Sequence, residues 1–156
     1  MHIITRQAAA ASNIIKNSEI YNKEIPFEIK EENPKESLSP GSGILICATL
    51  NKGGIIGSDS LGEKGLSAEK VGEKTAYNLI NQIKTGASID KNMADMIIPF
   101  LAFAQGKSKI YIPELTNHTL TNIQIVELMT EIKFRINKES NGLILLEVEG
   151  KNLENR

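Results

Sequence analysis

The sequence predicts a mixed α/β (α+β) fold. Two observations carry this reading. Segments with apolar residues at helical spacing alternate with short apolar runs bounded by Gly, Pro and Asn, in the order α-β-β-β-α and then α-β-α-β-β. The last two runs bracket Asn141-Gly142, a dipeptide suited to the tight turn between antiparallel strands. A gap near Gly86–Asp90 separates the two groups of elements.

The first helix is expected over Arg6–Lys16, which holds the run Ala8–Ala11 and then Ile14 and Ile15. Pro26–Lys30 alternates apolar and polar residues, a strand signal, and Glu31–Ser42 reads as a loop through Pro34, Pro40 and Gly41. Ile44–Asn51 reads as a strong strand. A turn at 52–54 then leads into a second strand opening at Ile55 and Ile56, together a hairpin. Gly57–Gly65 reads as a polar loop and does not match GxxxxGK[ST], since Gly65 follows Lys64. Ser67 caps a helix to about Lys84, with Ala68, Val71, Thr75, Ala76, Leu79, Ile80 and Ile83 on one face and Gly86 as its stop.

Asp90 caps the next helix, whose buried stripe is expected to be Met93, Ala94, Ile97, Ile98 and Leu101. Pro99 lies inside it and is expected to kink it or end its first part. A strand follows at Ile110–Ile112, then a helix at Ile123–Ile132, and then a hairpin of Lys133–Asn137 with Leu143–Val148. Residues Glu149–Arg156 are polar and read as a fraying end. No repeat at a solenoid period and no low-complexity segment interrupts this order.

The 156 residues suffice for one domain or two small ones. At 40% hydrophobic and 24% charged, the composition is that of an ordinary soluble globular protein. Trp is absent, so the core must be built from Ile, Leu, Val and Ala. A net charge of −1 supplies no global basic footprint, and contact with nucleic acid would need a local patch or another part of the protein. Cys47 is the one cysteine, which excludes an internal disulfide, and it reads as a small buried hydrophobe. Cys and His lack metal-ligand spacing, so no metal site is expected in this sequence. No segment reaches the roughly 18 apolar residues of a membrane span. The first residues lack the basic region and apolar core of a signal peptide. The expected location is cytoplasmic.

One stretch stands out chemically. Glu114–Met129 holds His118, one of two histidines, among Asn117, Thr119, Thr121 and Asn122. Thr121 with Gln124 reads as a capping box, which starts the helix just past His118 and leaves His118 on a strand-to-helix loop. A helix N-terminus offers free N–H groups and the positive end of its dipole, a setting that favours phosphate and suits a neutral, nucleophilic imidazole. By itself a loop histidine is more often a polar surface residue, and Asp95, on a helix, is more often a solvated charge.

Separated segments in a fixed order resemble one family. They are Leu38–Gly43 (LSPGSG) before an apolar strand, Gly57–Gly65 with Ser67–Gly72, Ala94-Asp95 with Pro99–Ala102, and Glu114–Thr116 with His118–Ile123 (HTLTNI). Together they span Leu38–Phe134 and resemble the RNA 3′-terminal phosphate cyclases, in the branch that keeps the histidine. The match resembles the C-terminal portion of that family. The resemblance implies that 1–88 is a small α/β inserted domain, without its first strand, and that 89–156 is the C-terminal βαββ unit of the large catalytic domain.

The resemblance also implies a reaction and its participants. ATP and a divalent metal, Mg or Mn, serve as cofactors, with the metal ligands in an N-terminal half outside this sequence. The substrate is RNA with a 3′-phosphate end. His118 is implied as the AMP acceptor, and Asn92, Met93, Ala94, Asp95, Met96 and Leu61 as nucleotide-binding positions. Asn92 and Met96 stand where bacterial members often carry an aromatic residue and a Gln, and Leu61 lies near where an aromatic can stack on adenine. A reading of another class is a non-catalytic cyclase-like partner or degenerate remnant that needs another chain to supply the missing half.

Overall fold

A computed structural model describes residues 2–21, 26, 28–30, 39–51 and 53–151. Among them the expected mixture of helices and strands is present, in two compact units. One comprises Met1–Ala48 with Gly57–Asn81, and the other Thr49–Ile56 with Gln82–Arg156.

In the first unit, α1 (Ile3–Asn17) buries Gln7, Ala11 and Ile15, one residue per turn on a single face. It packs on α2 (Ala68–Thr85), which buries Val71, Gly72, Thr75, Ala76 and Leu79. Gly72 permits the approach, since a Cβ there would stand 2.1 Å from the Gln7 carbonyl oxygen. Arg6 grips Glu69 with both prongs, Nε to Oε1 at 2.6 Å and Nη2 to Oε2 at 2.9 Å. The pair is half-exposed and orients the helices more than it stabilises them. Ser67 precedes α2 as expected, its hydroxyl accepting from the Lys70 N–H at 3.3 Å. The helix stops at Gly86, whose φ is +78°.

Strands β1 (Gly43–Thr49) and β2 (Ile55–Leu61) pair as a two-stranded sheet. The turn between them closes through Leu50 N–H to the Gly54 carbonyl and Gly53 N–H to the Leu50 carbonyl, both at 3.0 Å. Three expectations fail here. Gly57–Leu61 is strand, because β1 offers a partner along its whole length and pairing overrides the weak strand preference of Gly, Ser and Asp. Cys47 is exposed, because strand alternation turns it outward with Leu45 and only one face of the sheet is covered. Pro26, Glu28, Ile29 and Lys30 are irregular and exposed, since a short alternating segment without a partner strand leaves its backbone groups unpaired. Phe27 and residues 31–38 of the expected strand and loop lie outside the described residues.

In the second unit, α3 (Lys91–Phe103) begins at Asp90, whose Oδ1 accepts from Asn92 N–H at 3.0 Å and Met93 N–H at 2.8 Å. Pro99 does not divide it: the helix runs unbroken past the proline. Its buried stripe is Ala94, Ile98, Leu101 and Ala102; Met93 is exposed, one position off that face, and Ile97 is only partly covered. Strand β3 (Gly106–Ile112) leads to α4 (Asn117–Thr130), then to β4 (Phe134–Lys138) and β5 (Ile144–Gly150). The sheet order is β3-β5-β4, antiparallel throughout, with Ile110 and Ile136 both opposite Leu146. The expected terminal hairpin closes at Gly142 (φ +88°), with Glu139 N–H bonded to the Leu143 carbonyl at 2.8 Å. Residues Ala94, Ile98, Ile112, Ile123, Leu146 and Val148 form the core between the two helices and the sheet.

Two end-pieces lock this unit. At β5's end, a Cβ on Gly150 would meet the carbonyl oxygens of Ala104, Leu101 and Ala102 at 2.0, 2.8 and 2.9 Å. Lys151 N–H bonds the Ala102 carbonyl at 3.0 Å. At α4's end, Glu131 takes the left-handed conformation, and Glu127 accepts the Phe134 N–H at 2.8 Å and Lys133 Nζ at 3.1 Å. These bonds, the Phe134 N–H first, hold the Glu127 carboxyl below its ordinary value despite partial burial.

The Gly150→Ala change forces backbone carbonyls apart and is expected to cost about 1–3 kcal/mol in denaturant unfolding. A midpoint equal to wild type would contradict the steric account. Since the Glu127 carboxyl titrates lower in the folded chain, its contribution is present at neutral pH and is lost as pH falls below about 4, through its own folded value. Glu127→Gln is therefore expected to lower the thermal midpoint near neutral pH and to narrow the gap to wild type near pH 3; a gap independent of pH excludes this linkage.

Candidate active site

The site is built where α3 and α4 meet. The cap of α4 is Thr116, not Thr121, so His118 is the second residue of the helix and not a loop residue. Thr116 Oγ1 accepts the Thr119 N–H at 3.0 Å, which satisfies a first-turn donor. Thr121 and Gln124, the expected capping pair, lie inside the helix, which ends at Thr130 and not at Ile132. Thr116 prevails because its side chain also has a partner outside the helix.

That partner is Asp95. Thr116 Oγ1 donates to Asp95 Oδ1 at 2.8 Å, and Thr119 Oγ1 donates to the same oxygen. The two hydroxyls are 2.9 Å apart, each with its single proton directed at the carboxylate. Thr119 is fully buried, so these are bonds in a poorly solvated place. The backbone of Asp95 is engaged as well: its carbonyl accepts from Asn122 Nδ2 at 2.8 Å.

The Leu120 N–H bonds the Thr116 carbonyl at 3.0 Å, closing the first turn. With the Thr119 N–H taken by its cap, the N–H groups of Asn117 and His118 are left as the open donors of the helix start, by the geometry common to helix N-termini. The Asn117 and His118 side chains are exposed, and the first turn carries no acidic residue. An exposed imidazole beside free amides at the positive end of a helix is a receptive place for a phosphate group.

The other expected residues distribute as follows. Asn92, Asp95 and Met96 recur at helical spacing on one flank of α3, with Asn92 and Met96 exposed. Met93 is exposed on a different face, and Ala94 is fully buried in the core. Leu61 is the last residue of β2, in the first unit, and strongly exposed. A cavity of about 420 Å³ in the second unit, lined by Leu50, Ile83, Ser88, Tyr111 and Glu139 among others, contains none of these residues. Among the described residues no group of three or more His, Cys, Asp or Glu is gathered as a metal site would require. The linking roles of Thr116 and Asn122 escaped sequence reading. One signal was available: Pro99 must orphan the carbonyl four residues before it, that of Asp95.

Comparison with known proteins adds to this geometry. Residues 1–84 match the family model described as RNA 3′-terminal phosphate cyclase, insert domain. The chain is 41% identical over 149 residues to the RNA 3′-terminal phosphate cyclase of Pyrobaculum aerophilum, covering 96% of this chain and 41% of that protein. It is 35% identical over 150 residues to that of Ignicoccus hospitalis, covering 96% and 42%. Over 126 residues it is 44% identical to that of Pyrococcus abyssi, covering 81% and 34%. The chain thus spans about two fifths of the length of the first of these relatives.

Asp95→Ala removes the acceptor of two buried hydroxyls and is expected to cost about 1–3 kcal/mol, with the first turn of α4 losing protection in amide hydrogen exchange. Unchanged protection at Thr119 and Leu120 would contradict the anchoring role.

Proposed function

Since the chain belongs to the RNA 3′-terminal phosphate cyclase family, we propose that it serves ATP-dependent conversion of an RNA 3′-phosphate to a 2′,3′-cyclic phosphate, with His118 as the acceptor of AMP. The supporting observation is the position of His118: exposed, in the first turn of α4, beside open backbone donors, on a turn tied to Asp95. The sequence motif around it agrees.

The reaction proceeds in three exchanges at phosphorus. An imidazole nitrogen of His118 attacks the α-phosphorus of ATP, its lone pair forms the P–N bond, and pyrophosphate leaves with the P–O bonding pair. An oxygen of the RNA 3′-phosphate then attacks that phosphorus, and the imidazole leaves. Finally the neighbouring ribose 2′-OH attacks the activated 3′-phosphate, releases AMP and loses its proton. This chain's share is to present the imidazole, to bind phosphate oxygens through the Asn117 and His118 N–H groups, and to flank the nucleotide with Asn92, Asp95 and Met96. The Met93 and Ala94 positions contribute backbone and packing. A divalent cation would offset phosphate charge. The described residues do not by themselves fit such an ion.

In this reading 1–88 is the inserted domain and 89–156 the C-terminal βαββ unit of the catalytic domain. The remaining three fifths of the relatives' length supplies the metal ligands and most RNA contacts. The setting is cytoplasmic; no helix among the described residues is long and apolar enough to cross a membrane.

A second reading, a non-catalytic cyclase-like partner, is favoured by the strong exposure of Phe100 on α3 and of Leu128 and Met129 on α4. Incubation with ATP labelled at the α-phosphate and a divalent metal tests the first. The expected result is an acid-labile label on the chain that is absent from His118→Ala. Label persisting in that variant rejects His118 as acceptor, and a folded wild-type chain that takes none makes the remaining three fifths of the relatives' length, or a partner chain that supplies it, necessary for the chemistry.

A further inference from the structure

Asp95 holds α4 at two heights, and only one of them uses its carboxylate. The carboxylate takes the hydroxyls of Thr116 and Thr119, at the cap and in the first turn. The carbonyl takes the side-chain amide of Asn122, one turn further along. This second bond exists because of Pro99. In an α-helix the carbonyl of residue 95 would bond the N–H of residue 99, and proline has none. The orphaned carbonyl faces α4, and Asn122 fills the vacancy with a donor from another helix.

Ile123 and Val126 hold α4 in the core, but apolar contact does not set its rotation about its own axis. Polar bonds at two points separated by about one helical turn narrow that rotation more than the first-turn bonds alone. Asn122 stands four residues after His118, so both side chains rise from the same face of α4. Helical side chains lean toward the N-terminus, which aims Asn122 at the turn carrying His118. Rotation of α4 relative to α3 would carry His118 along the flank formed by Asn92, Asp95 and Met96.

We propose that Asn122 is a positioning residue for His118, acting through the carbonyl that Pro99 leaves open. The inference rests on reading His118 as the AMP acceptor. Its structural core, that Asn122 holds the imidazole in place, is tested without any nucleotide.

The experiment compares wild type, Asn122→Leu and the double variant Pro99→Ala/Asn122→Leu. Leucine keeps the size of Asn122 and removes its donor. Alanine at 99 returns a backbone N–H to the Asp95 carbonyl, which relieves the unsatisfied group without restoring the link between helices. Nuclear magnetic resonance of the His118 ring is the first readout, thermal midpoint the second, and the rate of His118 labelling by ATP the third. Asn122→Leu is expected to shift and broaden the His118 ring signals and to lower the labelling rate by roughly a hundredfold at saturating ATP. The double variant is expected to regain the wild-type thermal midpoint while the ring signals and rate stay altered. If Asn122→Leu does not fold, the double variant alone carries the comparison. Recovery of the ring signals together with stability, or their invariance in folded Asn122→Leu, overturns the proposal, because Asn122 would then only satisfy a carbonyl. A wild-type chain that takes no label traces to the metal ligands outside it and silences the third readout, and the ring signals alone then decide the positioning role.

Discussion

Asp95 is the point through which α3 acts on α4. Helix α4 covers the sheet with few large apolar residues, chiefly Ile123 and Val126, and turns Ile125, Leu128 and Met129 outward. Its start is therefore set by polar chemistry: one carboxylate oxygen shared by two threonines, and one carbonyl given to an asparagine. Bonds of this kind are directional. They define where a helix begins and how it is turned, which apolar contact alone does not. His118 inherits that definition because it lies within the first turn.

The parts of the fold that were legible in the sequence are those with local causes. Asp90 caps α3, Gly86 ends α2 and Asn141-Gly142 turns the last hairpin, each by chemistry contained within a few residues. The misplaced features have distant causes. Gly57–Leu61 has weak intrinsic preference for extended structure and became strand through β1. Cys47 sits in an apolar run that suggests burial, yet the covering of its sheet face depends on what packs there, and the strand period turned it outward. Met93 and the true stripe of α3 differ by one position, a rotation within the tolerance of any helical pattern.

The candidate site shows the same division. His118 and Asp95 stood out through short motifs, which record chemistry in sequence order. The start of α4 is ambiguous in the sequence, because Thr121 and Gln124 satisfy the spacing of a capping box while Thr116 supplies the real cap to Thr119. What chose between them was the Asp95 carboxylate, more than twenty residues earlier in the chain. Asn122 is visible in the sequence only as part of a motif; its bond crosses helices and depends on a proline whose pattern is that of a helix breaker.

The sheet order of the second unit has a consequence for biosynthesis. Strand β5 lies between β3 and β4 although it follows both in the chain. Neither neighbour pairs with the other, so a nascent chain on the ribosome holds two unpaired strands and an uncovered pair of helices until residues 144–150 emerge. Assembly of this unit is thus deferred to a late moment of translation, and the interval before it is when exposed strand edges are most open to capture by chaperones or by other nascent chains.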